Sequence, residues 1–328
     1  MVGYKNKQVL VTGAAGFVGA CLTRRLLDIG AEVHILTRER SDRWRLHGVE
    51  NQLHDHRVDL LDKEKLKRIV AEVRPRIVFH LAAHGGYPFQ VDTDRILQAN
   101  LLGTANLIEA LSGIDYECLV HAGSSSEYGL NRHPMFEEDV LEPISAYAVS
   151  KAASTLLCQA LARTRDQPLI TLRLFSVYGY YEEPSRMIPS VIDQCLRRVD
   201  PVLGPGTQVR DFVFVDDVLH LFLAVGLARP VRPEIVNVGS GIQRTVREVV
   251  EKIVAVSGAK VFPKWGALAV RPFEPTMWVA NISKAKNLYH WEPMFSLDEG
   301  LRLTIDWQRQ RLASEVVDNT LAGGSSKQ

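Results

Sequence analysis

The sequence is short of the features that mark several large protein classes. Among its 328 residues only four are cysteine (Cys21, Cys118, Cys158 and Cys195), and none stands in a Cys-x-x-Cys pair. Such spacing gives no disulfide framework and no structural zinc pattern, so reduced, buried thiols in the cytoplasm are expected. Lysine and arginine number 39 against 38 acids, a formal charge of +1, so no general attraction to nucleic acid or an anionic membrane is expected. No stretch reaches the roughly 18 apolar residues of a membrane span. The start, Met1-Val2-Gly3-Tyr4-Lys5, has no secretory apolar core. No internal repeat is found. His54-Asp55-His56 has no third ligand placed beside it, so no metal site is expected and the segment reads as a solvated turn.

What the chain does have is an alternation of short apolar runs with longer amphipathic ones through its first 175 residues. Residues 8–12, 32–37, 76–80, 118–122 and 169–175 read as strands, with a shorter one near 57–59. Residues 17–29, 63–73, 96–111 and 146–164 read as helices. Strands alternating with helices predict an α/β fold, a Rossmann-type doubly wound parallel sheet covered on both faces. The rhythm breaks after residue 178, where Gly179-Tyr180-Tyr181-Glu182-Glu183-Pro184 and Gly204-Pro205-Gly206 read as loops. The expected organisation is a dinucleotide-binding domain over 1–178 with parts of 209–240, then a smaller, discontinuous C-terminal substrate lobe over 179–312. Residues 313–328 are expected to form a disordered tail. Glu137-Glu138 and Glu182-Glu183 read as loop charges.

Val11-Thr12-Gly13-Ala14-Ala15-Gly16-Phe17-Val18-Gly19 lies between the first strand and the first helix. Glycines there allow a tight turn and let a pyrophosphate approach a helix N-terminus, whose free N–H groups and dipole attract anions. A glycine-rich turn alone is common, but the strand-before, helix-after context is the one a dinucleotide site demands. The second strand ends in Thr37, followed by Arg38 and Arg40. A carboxylate at that end would accept from the ribose hydroxyls of NAD, whereas a guanidinium grips a 2′-phosphate. The plain alternative is a solvated charged turn. NADP(H) is favoured, with NAD(H) the alternative.

Tyr147 and Lys151 stand four apart on a predicted helix, which puts both on one face. An ammonium beside a phenol is expected to lower the phenol's pKa and make it a proton carrier. Gly123-Ser124-Ser125-Ser126-Glu127-Tyr128-Gly129, just after a strand, holds three consecutive hydroxyls that read equally as turn residues.

Together the Gly-x-x-Gly-x-x-Gly turn and the Tyr-x-x-x-Lys pair resemble the short-chain dehydrogenase/reductase superfamily, in its extended, nucleotide-sugar-modifying branch. The resemblance implies that Ser124, Tyr147 and Lys151 form the catalytic set. It implies a cofactor site of Gly13, Gly16, Phe17, Val18, Gly19, Arg38, Asp59, Leu60, Leu81, Ala82 and Ala83, joined by Tyr147 and Lys151. For the substrate it points to His84, Ser125, Ser126, Ser176, Arg210, Arg271 and Glu274, the two arginines on the diphosphate and Glu274 on a ribose hydroxyl. Ser176 departs from a frequent asparagine of the branch. Asp216 reads as a helix N-cap and Asn100 as structural. The branch's 4,6-dehydratases carry Thr-Asp-Glu where this chain has Ser124-Ser125-Ser126, and Glu127 falls one place too late to supply the extra acid and base. Dehydration is therefore disfavoured.

The leading expectation is NADPH-dependent reduction of a keto group, at C4, on a nucleotide-activated deoxysugar. The alternative is a nucleotide-sugar 4-epimerase that retains its cofactor. A catalytically silent dinucleotide-binding sensor is the third reading. The resemblance also implies a homodimer in which helices 94–111 and 146–164 pair across a two-fold axis, with Ala148, Ala152 and Ala153 allowing close approach.

Overall fold

The computed structural model describes residues 2–87, 89–231, 233–268 and 275–324. Seven parallel strands form the main sheet, in the order β3-β2-β1-β4-β5-β6-β9. They are β1 (Gln8–Thr12), β2 (Glu32–Thr37), β3 (His54–Arg57), β4 (Ile77–His80), β5 (Cys118–Ser124), β6 (Leu169–Leu174) and β9 (Glu234–Val238). A three-stranded sheet, β10-β8-β7, joins β7 (Ser176–Tyr178) in parallel to β8 (Val209–Phe214), which pairs antiparallel with β10 (Gln243–Thr245).

The apolar runs form strands because both of their faces are covered. Val9 and Val11 pack into one buried cluster while Leu10, between them, packs into another; Ile77 and Phe79 flank Val78 in the same way. The first cluster includes residues of α1 (Phe17–Asp28) and α7 (Val215–Leu227). The second takes in α2 (Lys63–Val73), α4 (Gly103–Ala110) and α5 (Ala146–Thr164). The predicted helix 96–111 divides into α3 (Thr93–Leu97), a π-helical turn over Gln98–Leu102, and α4. The remaining helices are α6 (Met187–Leu196), α8 (Val246–Ser257), α9 (Ser283–Tyr289) and α10 (Leu297–Gly324).

Two expectations are corrected. The third strand is His54–Arg57 rather than 57–59, so His54-Asp55-His56 is not a solvated turn but the sheet's edge. Asp216 does not cap α7. The helix begins at Val215 with Phe214 at its N-cap, and Asp216 instead accepts the Tyr180 hydroxyl.

The chain order reverses direction at β1 and β4, the position where doubly wound sheets bind ligands beyond their strand ends. The candidate site lies there.

Candidate active site

Gly13 turns the chain out of β1 with a φ of +74°, a left-handed conformation that favours glycine. A β-carbon on it would come within 2.5 Å of the Leu81 carbonyl carbon and 2.6 Å of the Ala82 nitrogen. One on Gly19 would overlap the Gly13 carbonyl. The turn therefore lies flat against the end of β4, and Gly16 caps α1 without a side chain, leaving that helix's first N–H groups facing outward. This cradle suits a pyrophosphate. Beneath it Thr12 Oγ1 accepts from the Ala82 N–H at 3.2 Å.

A cleft of about 1150 Å³ opens from this turn. Its wall carries Gly13, Gly16, Phe17, Val18, Gly19, Leu81 and Ala83, and its floor Ser124, Tyr147 and Lys151. Ser176 and Arg210 line its far end. The fold thus unites the three catalytic candidates with the glycine turn. Ser145 caps α5 by accepting from the Ala148 N–H at 3.1 Å, which sets Tyr147 in the helix's first turn. The Ser124 side chain shares the cleft floor with the Tyr147 phenol and favours its ionised form. Lys151, 3% exposed, donates from Nζ to the Ala122 carbonyl at 2.5 Å. Burial raises the pKa of Tyr147 against the help of Ser124, and burial lowers that of Lys151 although Glu127 opposes it. The expected lowering of the phenol by Lys151 does not emerge; desolvation prevails.

The three serines divide their work. Ser124 ends β5 and caps the 3-10 turn Ser125–Tyr128, while its backbone N–H donates to Glu127 Oε1 at 2.8 Å. Ser126 Oγ lies 2.8 Å from Ser124 Oγ and steadies that hydroxyl. Ser125 is 6% exposed and accepts from Trp278 Nε1 at 3.2 Å, so it braces the second part of the chain and does not line the cleft. His84 is also absent from the cleft lining. Asn100, in the π-helical turn, accepts from its backbone N–H and donates to its carbonyl, and Arg95 and Arg38 act on its ring after burial has lowered its pKa. Arg210 lies over the Trp278 ring, 5.5 Å from its centroid. Arg271 and Glu274 fall outside the described residues.

Two charges read as loop residues belong to the cleft's surroundings. Glu183 pairs with Arg45 at 3.0 Å. Glu182 lines the cleft, burial pushes its carboxyl up to about 8, and its Oε2 has no hydrogen-bond partner. Arg186, on the same wall, donates to the Gly86 carbonyl at 2.5 Å and stacks on Tyr87. Both were missed because Glu182 and Arg186 sit in an irregular segment with no periodicity to aim them. Their spacing of four was the one available signal.

A second basin, of about 490 Å³, lies beyond the end of β2. Arg38, Arg40, Arg57, Lys65 and Arg95 line it, against Glu39, Asp59 and Asp62. Thr37 Oγ1 donates to Asp55 Oδ1 at 2.5 Å, and Arg43 and Arg57 bind the same carboxylate at 2.8 and 2.9 Å. Leu60 offers its carbonyl to Asn106.

Fold, glycine cradle and serine–tyrosine–lysine floor define an enzyme of the nicotinamide-dinucleotide-dependent kind. A profile described as the NAD dependent epimerase/dehydratase family matches residues 9–239, and the chain belongs to that family. The UDP-glucuronate 4-epimerase of Thermodesulfobacterium geofontis is 29% identical over 320 residues, covering 92% of this chain and 96% of that protein. The solved epimerase Mth375 of Methanothermobacter thermautotrophicus superposes with a TM-score of 0.86 at 31% identity, over 95% of this chain and 94% of that one. The UDP-glucuronic acid 4-epimerase of Bacillus cereus, solved with UDP-glucuronic acid and NAD, gives 0.81 at 27%, over 92% and 99%.

Proposed function

We propose that this protein is a nucleotide-sugar 4-epimerase. The observation that carries the reading is the gathering of Ser124, Tyr147 and Lys151 on the floor of the cleft that begins at the glycine turn. A nicotinamide dinucleotide held by Gly13, Gly16, Phe17, Val18 and Gly19 supplies hydride acceptance and return. Tyr147 takes the proton of the sugar's C4 hydroxyl as that carbon is oxidised, and gives it back when the carbon is reduced from the other face. Ser124 donates to the reacting oxygen and shares its developing charge. Lys151 keeps a positive charge behind the phenol. Ser125 and Ser126 offer no carboxyl group for eliminating water, and Glu127 is committed to Arg173, which argues against dehydration.

A second reading, net reduction of a 4-keto nucleotide sugar by NADPH, draws support from the basic basin at Arg38, Arg40, Arg57, Lys65 and Arg95. That basin also underlies the preference for NADP(H) proposed here, although NAD accompanies the Bacillus cereus relative. Four buried free thiols accord with a reducing compartment, the cytoplasm. No helix among the described residues is long and apolar enough to cross a membrane.

The deciding experiment incubates purified protein with UDP-glucuronate and UDP-glucose, without added dinucleotide, and resolves the C4 epimers by NMR. Epimer formation without net cofactor consumption supports the first reading. NADPH consumption in step with loss of a 4-keto substrate selects the second, and neither activity overturns both.

A further inference from the structure

The edge of the main sheet carries a group of side chains unrelated to the cleft. Parallel pairing sets His34 of β2 opposite His54 of β3, and Leu36 opposite His56. Glu32, two residues before His34, points to the same face. The His34 and His54 rings stack at 4.5 Å and those of His34 and His56 at 5.4 Å. Glu32 Oε1 lies 3.5 Å from His34 Nε2 and 3.8 Å from His54 Nε2, and one donor atom from each of the three residues falls within 4.8 Å of the others.

His34 is the informative member. It is 8% exposed, and its Nε2 has no hydrogen-bond partner although a carboxylate stands in front of it. Its other nitrogen, Nδ1, is 3.1 Å from His56 Nε2. When Nδ1 donates to His56, the Nε2 lone pair faces Glu32 Oε1, so two acceptors confront each other. A cation between them removes that conflict. Buried polar atoms without partners are uncommon and call for such an explanation.

We propose that Glu32, His34 and His54 form a transition-metal site, with His56 as the outer partner that orients His34, and that the bound ion clamps edge strand β3 to β2. Two imidazoles and a carboxylate form a zinc-type donor set, unlike the all-oxygen sets of calcium and magnesium. With metal–ligand bonds of about 2.0–2.1 Å, a tetrahedral ion holds its donors roughly 3.4 Å apart. The spacings from Glu32 to the two histidines are close to that value, and exposed Glu32 and His54 close the remainder by side-chain rotation. The imidazole bonded at its second nitrogen to a fixed acceptor is the arrangement that orients metal-ligating histidines. β3 leads directly to Val58 and Asp59 in the basic basin, so a clamp on β3 steadies that wall.

The test uses the full chain without a histidine tag, stripped with EDTA and titrated with zinc chloride by calorimetry. One equivalent is expected to bind with a micromolar or tighter Kd and to raise the melting temperature. His54→Gln and Glu32→Gln, both at exposed positions that leave the fold intact by circular dichroism, should each weaken binding at least ~10-fold, and His56→Gln ~10-fold by freeing the His34 ring. Magnesium should not bind there. Absence of zinc binding below millimolar concentration overturns the proposal, as does tight binding that His54→Gln and Glu32→Gln leave unchanged.

Discussion

Glu127 and Arg173 form an ion pair at 2.8 Å with both side chains shut away from solvent, 0% and 2% exposed. Glu127 Oε1 also accepts from the Ser124 N–H and from Thr155 Oγ1, and Arg173 donates to the Glu137 carbonyl while lying over the Tyr128 ring. The pair ties the 3-10 turn that follows β5 to β6, directly beneath Ser124. Removing one partner strands a buried charge, so Glu127→Ala should cost ~3–5 kcal/mol in urea unfolding. Glu127→Gln, which keeps an acceptor for Ser124, should lose less stability and retain more activity. A loss below about 1 kcal/mol for the alanine variant would show that water relieves Arg173.

Tyr147→Phe should abolish turnover while leaving dinucleotide affinity nearly unchanged. The phenol lies on the cleft floor with Ser124, whereas the cradle is built by Gly13, Gly16 and Gly19. Loss of a positioned acid–base group typically lowers kcat ~10²–10⁴-fold. Near-normal kcat in the phenylalanine variant, with dinucleotide binding followed by fluorescence, removes Tyr147 from the mechanism.

Much of this arrangement was legible because it is local. The β1–turn–α1 unit spans twelve residues from Gln8 to Gly19, and helical spacing alone aligned Tyr147 with Lys151. What escaped depends on distant parts of the chain. Ser125 turns from the cleft because Trp278, 153 residues away, takes its hydroxyl. Glu137 resembles a loop charge until Asn237, 100 residues on, donates its N–H to the carboxylate. β3 was displaced because His54-Asp55-His56-Arg57 contains no apolar residue; as an edge strand it is held by pairing with β2 rather than by hydrophobic pattern. The same register, invisible in the sequence, brings His34 and Glu32 to His54.

His80 gives the fold a defined response to acid. Thr104 Oγ1 donates to the Asn100 carbonyl at 2.5 Å, so it receives a proton from His80 Nε2 at 2.9 Å. His80 Nδ1 then accepts from Thr12 Oγ1 at 2.6 Å, and the ring is neutral. Burial, reinforced by Lys151, lowers its pKa from 6.5 to about 3. The unfolded chain therefore binds the proton first, and stability is lost as pH falls from about 6.5 towards 3. The contribution is ~1.4 kcal/mol per pH unit within that window. Denaturant unfolding at pH 7, 6 and 5 should show His80→Gln with a shallower slope, by about one proton, than the unaltered protein. Parallel slopes contradict the assignment.

The face of α5 turned away from the sheet exposes Val149 (43%) and Leu156 (58%), beside Leu102 (51%) on the neighbouring π-helical turn. Ala148 and Ala152, expected to allow close approach of a second copy, are instead buried within the chain. The homodimer proposed from the family resemblance accordingly rests on Val149, Ala153 and Leu156. Sedimentation at micromolar concentration should give about twice 36.7 kDa, and Leu156→Arg should return the mass to one chain. A monomeric unaltered protein removes the dimer.

Cofactor choice turns on the end of β2. Asp55, the carboxylate nearest Thr37, already serves Thr37, Arg43 and Arg57, which leaves it poorly placed to accept from a ribose. Arg38 lies just beyond, on the rim of a basin in which five cationic side chains face three carboxylates. A 2′-phosphate would be attracted there, and if a charge-assisted hydrogen bond worth ~1.5–3 kcal/mol forms, NADP(H) should bind about ten- to a hundredfold better than NAD(H). Thr37→Asp is a poor probe, because Thr37 is buried against Asp55 and a second carboxylate would repel the first. Arg38→Asp is the cleaner change. It removes attraction and adds repulsion at an exposed position, so it should reverse the order of the two dinucleotides. Titration of both against the unaltered protein and the variant decides the matter. Equal affinities in the unaltered protein, or a preference for NAD(H), would discard the role of Arg38 and leave the epimerase reading without its rival.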